Sequence, residues 1–96
     1  MTEDPGDLRV ADNPAESRYE ALLGDRIVGF SEYELRPGVI RFLHTETDPA
    51  FAGRGFGSRL AAGALDDVRA RRLRVIAKCP FIRAYLRRHP QYADLR

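Results

Sequence analysis

The stretch Asp48-Pro49-Ala50-Phe51-Ala52-Gly53-Arg54-Gly55-Phe56-Gly57-Ser58 is where the hydrophobic pattern of this chain changes period. Before it, apolar residues form short runs rich in β-branched and aromatic side chains. After it, Phe56, Leu60, Ala64 or Leu65, and Val68 recur at three- and four-residue steps. The first pattern belongs to strands and the second to an amphipathic helix. Strand, glycine-rich turn and helix thus follow one another. Three glycines at alternate positions let backbone amides approach an anion with no Cβ in the way. The helix start adds unpaired N–H groups and the positive end of its dipole, so a pyrophosphate is a natural guest. A flexible loop that merely caps a helix is the plainer reading of the same residues. The spacing is G-x-G-x-G, which is neither the dinucleotide fingerprint G-x-G-x-x-G nor a P-loop, there being no Gly-Lys-Ser/Thr.

Upstream, strands are expected at 8–12, 19–23, 26–35 and 39–47, with a turn at 13–17. Gly24-Asp25 places glycine where a type II′ hairpin turn needs it, and Arg36-Pro37-Gly38 punctuates the next pair. Downstream, the helix at 55–72 ends in Arg69, Arg71 and Arg72, where cations complement the dipole. A fifth strand follows at 74–79, then a second helix at 81–89, with Pro90 after its end. The order is ββββαβα. Four strands can meander antiparallel; the fifth, reached through a helix, should lie parallel to its neighbour by a right-handed crossover. Ligands in such units bind outside the carboxyl ends of the strands.

Composition narrows the class. Ninety-six residues allow one small domain, expected over 8–96 behind a frayed segment at 1–7. No apolar run is long enough for a membrane span, and the acidic N-terminus lacks the apolar core of a signal peptide, so the cytoplasm is the expected compartment. One cysteine excludes an internal disulfide and a cysteine-based zinc cluster, and no metal site is expected. Net charge is +2, but residues 1–50 hold five Arg against eleven Asp and Glu, whereas residues 51–96 hold ten Arg and Lys78 against three Asp. The second half is suited to an anion: a nucleic acid, an acidic partner or a phosphorylated cofactor.

The segment Ala52-Gly53-Arg54-Gly55-Phe56-Gly57 resembles the coenzyme A loop of the GNAT-type N-acetyltransferases, Q/R-x-x-G-x-G/A. Gly55 and Gly57 match its small positions; Ala52 departs from the usual Gln or Arg. His44-Thr45, the glycine loop, Cys79-Pro80-Phe81 and His89-Pro90-Gln91-Tyr92 follow in the order found in a small single-domain subfamily of acetyltransferase-like proteins. The resemblance runs from about residue 9 to 95. It implies a minimal GNAT-like α/β (α+β) fold: a mixed, mostly antiparallel sheet of about five strands with two helices. It also implies acetyl-coenzyme A as cofactor and an amine as acceptor.

The residue roles follow from that resemblance. Gly53, Arg54, Gly55, Phe56, Gly57 and Ser58 would hold the pyrophosphate, with Arg59, Arg83 or Arg87 as further phosphate partners. Thr45, Glu46 and Thr47 would present strand backbone to the pantetheine where strands four and five part. His44, whose imidazole can exchange protons near neutral pH, is an acid–base candidate; on a regular strand it would share a face with Ile40 and Phe42. Its alternative is a histidine held by backbone. Cys79, beside Lys78 and ahead of a helix, could carry a transient acyl group, pair with His44, line the pocket or pack as a small hydrophobe. Tyr85 could protonate the departing thiolate or pack against Phe81.

Three functions fit these residues. The first is N-acetyl transfer to an unidentified amine by a monomer or weak dimer. The second is a non-catalytic acyl-coenzyme A binder. The third is a small basic nucleic-acid-binding module built on Arg69, Arg71, Arg72, Arg74, Arg83, Arg87 and Arg88; no nucleic-acid motif accompanies these arginines, and aromatic interleaving is sparse.

Overall fold

Turn residues set the strand pairing. Gly24 has φ +59° and closes a two-residue hairpin in which Leu23 faces Arg26. Gly38 has φ +74°, follows Pro37 and brings Arg36 opposite Val39. Both conformations favour glycine, the second in the Pro-Gly order of a type II turn. The computed structural model describes residues 7–96, with β1 at Leu8–Asn13, β2 at Arg18–Leu23, β3 at Arg26–Arg36 and β4 at Val39–Thr47. The helix α1 at Phe56–Ala70 leads to β5 at Arg74–Ala77, and α2 at Pro80–Arg88 is followed by a 3₁₀ segment at Pro90–Leu95. The expected frayed segment falls, but for Asp7, on residues outside the described ones.

The sheet order is β1-β2-β3-β4-β5, antiparallel except for the parallel β4–β5 pair. This is the mixed sheet and ββββαβα order read from the sequence. Tyr19, Ala21, Tyr33, Ile40, Phe42 and Val75 bury one sheet face against Leu60, Ala64, Leu65 and Val68 of α1 and Ile82 and Leu86 of α2, in one hydrophobic cluster reaching from Leu8 to Leu95. Tyr19 donates to Asp67 at 2.6 Å and Tyr33 to Asp12 at 2.7 Å, while Arg71 joins Asp12 to Asp67, so the end of α1 is tied to β1, β2 and β3. Tyr92 donates to Asp66 at 2.7 Å and pins the C-terminal segment to α1. No helix is long and apolar enough to cross a membrane among the described residues.

Two departures shape the site. β5 ends at Ala77, not at the expected residue 79. The amides of Lys78 and Cys79 both donate to the Phe42 carbonyl at 2.9 Å, and Pro80 then starts α2, having no N–H with which to continue the ladder. β4 runs on to Thr47 with only β3 beside it. The second departure is a β-bulge. Tyr33 faces Phe42 but Glu32 faces His44, so Leu43 is an extra residue in β4. A bulge inverts the alternation beyond it. Thr45, rather than His44, therefore lies on the face of Ile40 and Phe42. His44 points to the helix-free face, against Phe30 (ring centroids 6.3 Å apart) and 3.6 Å from Glu46.

Candidate functional site

The free length of β4, the glycine loop and the start of α2 enclose a cleft of about 190 Å³. Its walls are Thr47, loop residues 51–53 and 55–58, and the ring of Phe81. Asp48 begins the loop by accepting from the Ala50 amide at 2.9 Å, which sets a short 3₁₀ turn at Pro49–Phe51. Gly53 and Gly55 then take φ of +80° and +74°, and Gly55 is the N-cap of α1 with no side-chain hydrogen bond to the first turn. Most helices fill this place with a Ser, Thr, Asp or Asn oxygen. Here the first-turn residues Phe56, Gly57 and Ser58 line the cleft with no side chain capping them, and an uncapped helix start suits an anion. Gly57 serves closeness rather than backbone freedom: a Cβ there would sit 2.8 Å from the Phe81 ring and 3.5 Å from Thr47.

Charge at the mouth agrees with that chemistry. The guanidinium groups of Arg26 and Arg54 lie 4.9 and 5.3 Å from the centre of the Phe51 ring, which packs on Phe56. Arg26 is paired with Asp48, whereas Arg54 makes no ion pair among the described residues. Arg59 is held at the Leu8 carbonyl at 3.2 Å, and Arg83 reaches the carbonyls of Ala77 and Lys78. The chemistry of the donor set fits a phosphorylated ligand: uncapped amides and an unpaired guanidinium, with no carboxylate lining the cleft.

The remaining sequence candidates are distributed as follows. Thr45 is not in the lining of the cleft; its hydroxyl accepts from the Cys79 thiol at 3.3 Å and shares a hydrogen bond with the fully buried Ser31 at 2.9 Å. Cys79 thus closes the bottom of the gap between β4 and β5, but it is only 3% exposed. His44 and Cys79 sit on opposite faces of the sheet and form no pair. Tyr85 lines neither the cleft nor the groove described below. It stacks on His89 at 3.8 Å and packs near Tyr92; burial, then the nearby Asp66 carboxylate, pushes its hydroxyl pKa up. Sequence reasoning missed Phe51 and Phe81 as walls of the cleft. The aromatic directly after Cys79-Pro80 was the available signal for Phe81.

On the helix-free face, across the end of β4, lies an open groove of about 550 Å³ that includes Arg18, Ile27, Phe30, Glu46, Thr47 and Asp48. Thr47 belongs to both hollows. Glu46, whose backbone is the part expected at the cofactor, lines this groove. The arginines that could have formed a nucleic-acid surface are partly consumed inside the molecule. Arg69 binds Asp94 in bidentate fashion, Arg71 pairs with Asp12 and Asp67, and Arg74 reaches the carbonyl of Arg96. Among the described residues no group of three or more His, Cys, Asp or Glu could hold a metal ion.

Comparison with known proteins agrees with the fold. Residues 18–95 match the family model described as GCN5-related N-acetyl-transferase. The chain is 31% identical to Protein NATD1 of the mouse, over 96% of this chain and 87% of that one. A GCN5-like protein from Staphylococcus aureus, solved in solution by NMR, superposes with a TM-score of 0.70 at 22% identity, covering 93% of this chain and 87% of that one.

Proposed function

Because the chain belongs to the GCN5-related N-acetyltransferase family, we propose that it transfers an acetyl group from acetyl-coenzyme A to an amine. The observation that carries the cofactor half is the uncapped, glycine-lined start of α1 opening beside the unpaired length of β4. The amides of residues 55–58 bind phosphate oxygens, and Arg54, over the Phe51 ring, adds a cation. The free edge of β4 offers backbone groups to the pantetheine amides and one N–H to the thioester carbonyl, where it stabilises developing negative charge. Bound there, the thioester supplies an activated acetyl group: the amine nitrogen bonds to the carbonyl carbon, and the C–S bond breaks to release the coenzyme A thiol.

The acceptor must lose a proton for this attack. His44 and Glu46 stand together on the acceptor side of β4 and take that proton, directly or through a water. Cys79 forms the wall of the gap; its burial and its hydrogen bond to Thr45 support direct transfer over an acyl-cysteine. Cys79→Ala should therefore retain turnover, and a mass shift of one acetyl group on Cys79 after mixing with acetyl-coenzyme A would replace direct transfer by the two-step route.

A second reading has its own observation. Cys79, His44 and Tyr85 all lie outside the lining of the cleft, as in a protein that binds an acyl-coenzyme A without acting on it. The deciding experiment pairs calorimetric titration of coenzyme A with release of free thiol from acetyl-coenzyme A across a panel of amines. Binding with amine-dependent thiol release establishes the transferase. Binding without release establishes the binder, and absence of binding removes both.

A further inference from the structure

The groove on the helix-free face is built for a particular kind of guest. Its floor is apolar, with Ile27 and Phe30 on the same side of the sheet, and Ile27 remains 42% exposed. Two carboxylates line it. Asp48 is occupied by Arg26 at 3.3 Å and by the Ala50 amide. Among the described residues Glu46 has one ionic contact, with His44 at 3.6 Å, and its side chain is 60% exposed. The carboxylate open to a cation is therefore Glu46, which is the cross-strand neighbour of Phe30.

The other flank of Phe30 carries the opposite charge. Arg18 lies 4.8 Å above the ring centre, held there by its Nε donating to Glu20 at 2.8 Å. Glu20 is nearly buried and also accepts from Asn13, so Arg18 is fixed in place. Anion, ring and cation thus follow one another across β4, β3 and β2. The two charges are carried by strands that are not neighbours, with the Phe30 strand between them. A volume of about 550 Å³ is in the ordinary range for a small-molecule site.

We propose that this groove is the acceptor site and that it selects a small amine with one positive charge and an apolar, ring-sized body. The ammonium pairs with Glu46, and the body lies on Ile27 and against the edge of Phe30, whose ring face Arg18 covers. Arg18 closes the far end to a second cation, which excludes polyamines; the same charge tolerates a neutral or anionic tail. The groove meets the glycine-loop cleft at Thr47, so an amine held at Glu46 lies across the end of β4 from the cleft. The assignment as acceptor site rests on the acetyl-transfer reading. The binding preference rests on the groove alone.

The test uses 2-phenylethylamine and 1,4-diaminobutane as probes on the full chain. Without coenzyme A, titration of ¹⁵N-labelled protein with 2-phenylethylamine should shift amides of Phe30, Glu46 and Thr47 and leave those of Gly53 and Gly55 in place. With acetyl-coenzyme A, kcat/KM should favour 2-phenylethylamine over 1,4-diaminobutane by at least tenfold. Arg18→Gln should narrow that ratio to within about threefold, and Glu46→Gln should lower kcat/KM for 2-phenylethylamine about tenfold while coenzyme A affinity stays unchanged. Preference for the diamine, or shifts confined to residues outside the groove, overturns the proposal even if coenzyme A binds. Groove shifts with no binding of coenzyme A would keep the amine site and remove the acetyl-transfer reading.

Discussion

Gly55 and Gly38 form a matched pair. Both have φ of +74°, and a Cβ built on either meets no heavy atom within 4 Å. Alanine at either position should therefore incur the same strain, since left-handed backbone costs an L-residue roughly 1–2 kcal/mol. A stiffer unfolded chain returns about 0.4–1 kcal/mol of that. The net loss is about 1 kcal/mol for each variant, or roughly 4–8 °C in Tm for a domain of this size. The two sites differ in place. Gly38 precedes the nine residues of β4 and the glycine loop follows them, so about 30 Å separates the two at roughly 3.3 Å per residue. The methyl group on Gly55 would project into space empty of protein atoms, where a phosphate must come to reach the first turn of α1. A hydrogen bond to a charged group contributes about 1.5–3 kcal/mol. Losing one weakens coenzyme A binding about 10- to 100-fold. Urea unfolding and calorimetric titration of both variants give the two readouts. Equal losses of stability, with weakened coenzyme A binding in Gly55→Ala alone, are expected. If Gly55→Ala binds coenzyme A within threefold of Gly38→Ala, the phosphate does not sit at this helix start.

Other consequences are structural. A Cβ on Gly63 would fall 2.7–3.0 Å from three carbons of Val10, whose stiff side chain cannot turn away; Gly63→Ala should destabilise by about 1–2 kcal/mol in urea unfolding despite its better helix propensity, with coenzyme A affinity unchanged. Thr45→Val would leave the fully buried Ser31 hydroxyl without its partner and should cost about 1–3 kcal/mol; Ser31→Ala in the same chain should recover a large part of that, read as a coupling energy in a double-mutant cycle. Burial, followed by a hydrogen bond to a carboxylate, pushes the hydroxyls of Tyr33 and Tyr92 up to about 12 from 10.0. Between those two values the folded chain holds protons that the unfolded chain has released, so stability is intact below pH 10 and falls as pH rises toward 12. Tyr92→Phe should flatten that alkaline decline in a series of thermal melts; an unaltered slope would show that Tyr92 does not contribute to it.

The architecture was legible because its punctuation is chemical. Gly24, Pro37-Gly38 and the glycine loop can each do little but turn, and the period switch after Gly55 leaves one reading for α1. The loop was legible for the same reason. The rest of the site was hidden by two local events. Leu43 adds one residue to β4 and moves His44 to the opposite face, and an exposed leucine within a strand carries no compositional warning beyond the broken alternation of Phe42-Leu43. β5 stopped two residues short because one carbonyl, that of Phe42, accepts from two successive amides; spacing alone does not reveal that. Arg18, Phe30 and Glu46 converge from three strands, so no local window of sequence contains the groove.

The most direct measurement is a coenzyme A titration followed through the ¹⁵N–¹H resonances of the whole chain. Saturable shifts at Gly53, Gly55, Gly57 and Ser58, continuing along β4 through Thr45 and Thr47, are expected, with the amides of Gly38 and Gly63 unmoved. No saturable shift, or shifts gathered on Arg83, Arg87 and Arg88 with the glycine loop silent, would contradict a cofactor site between the glycine loop and the free edge of β4.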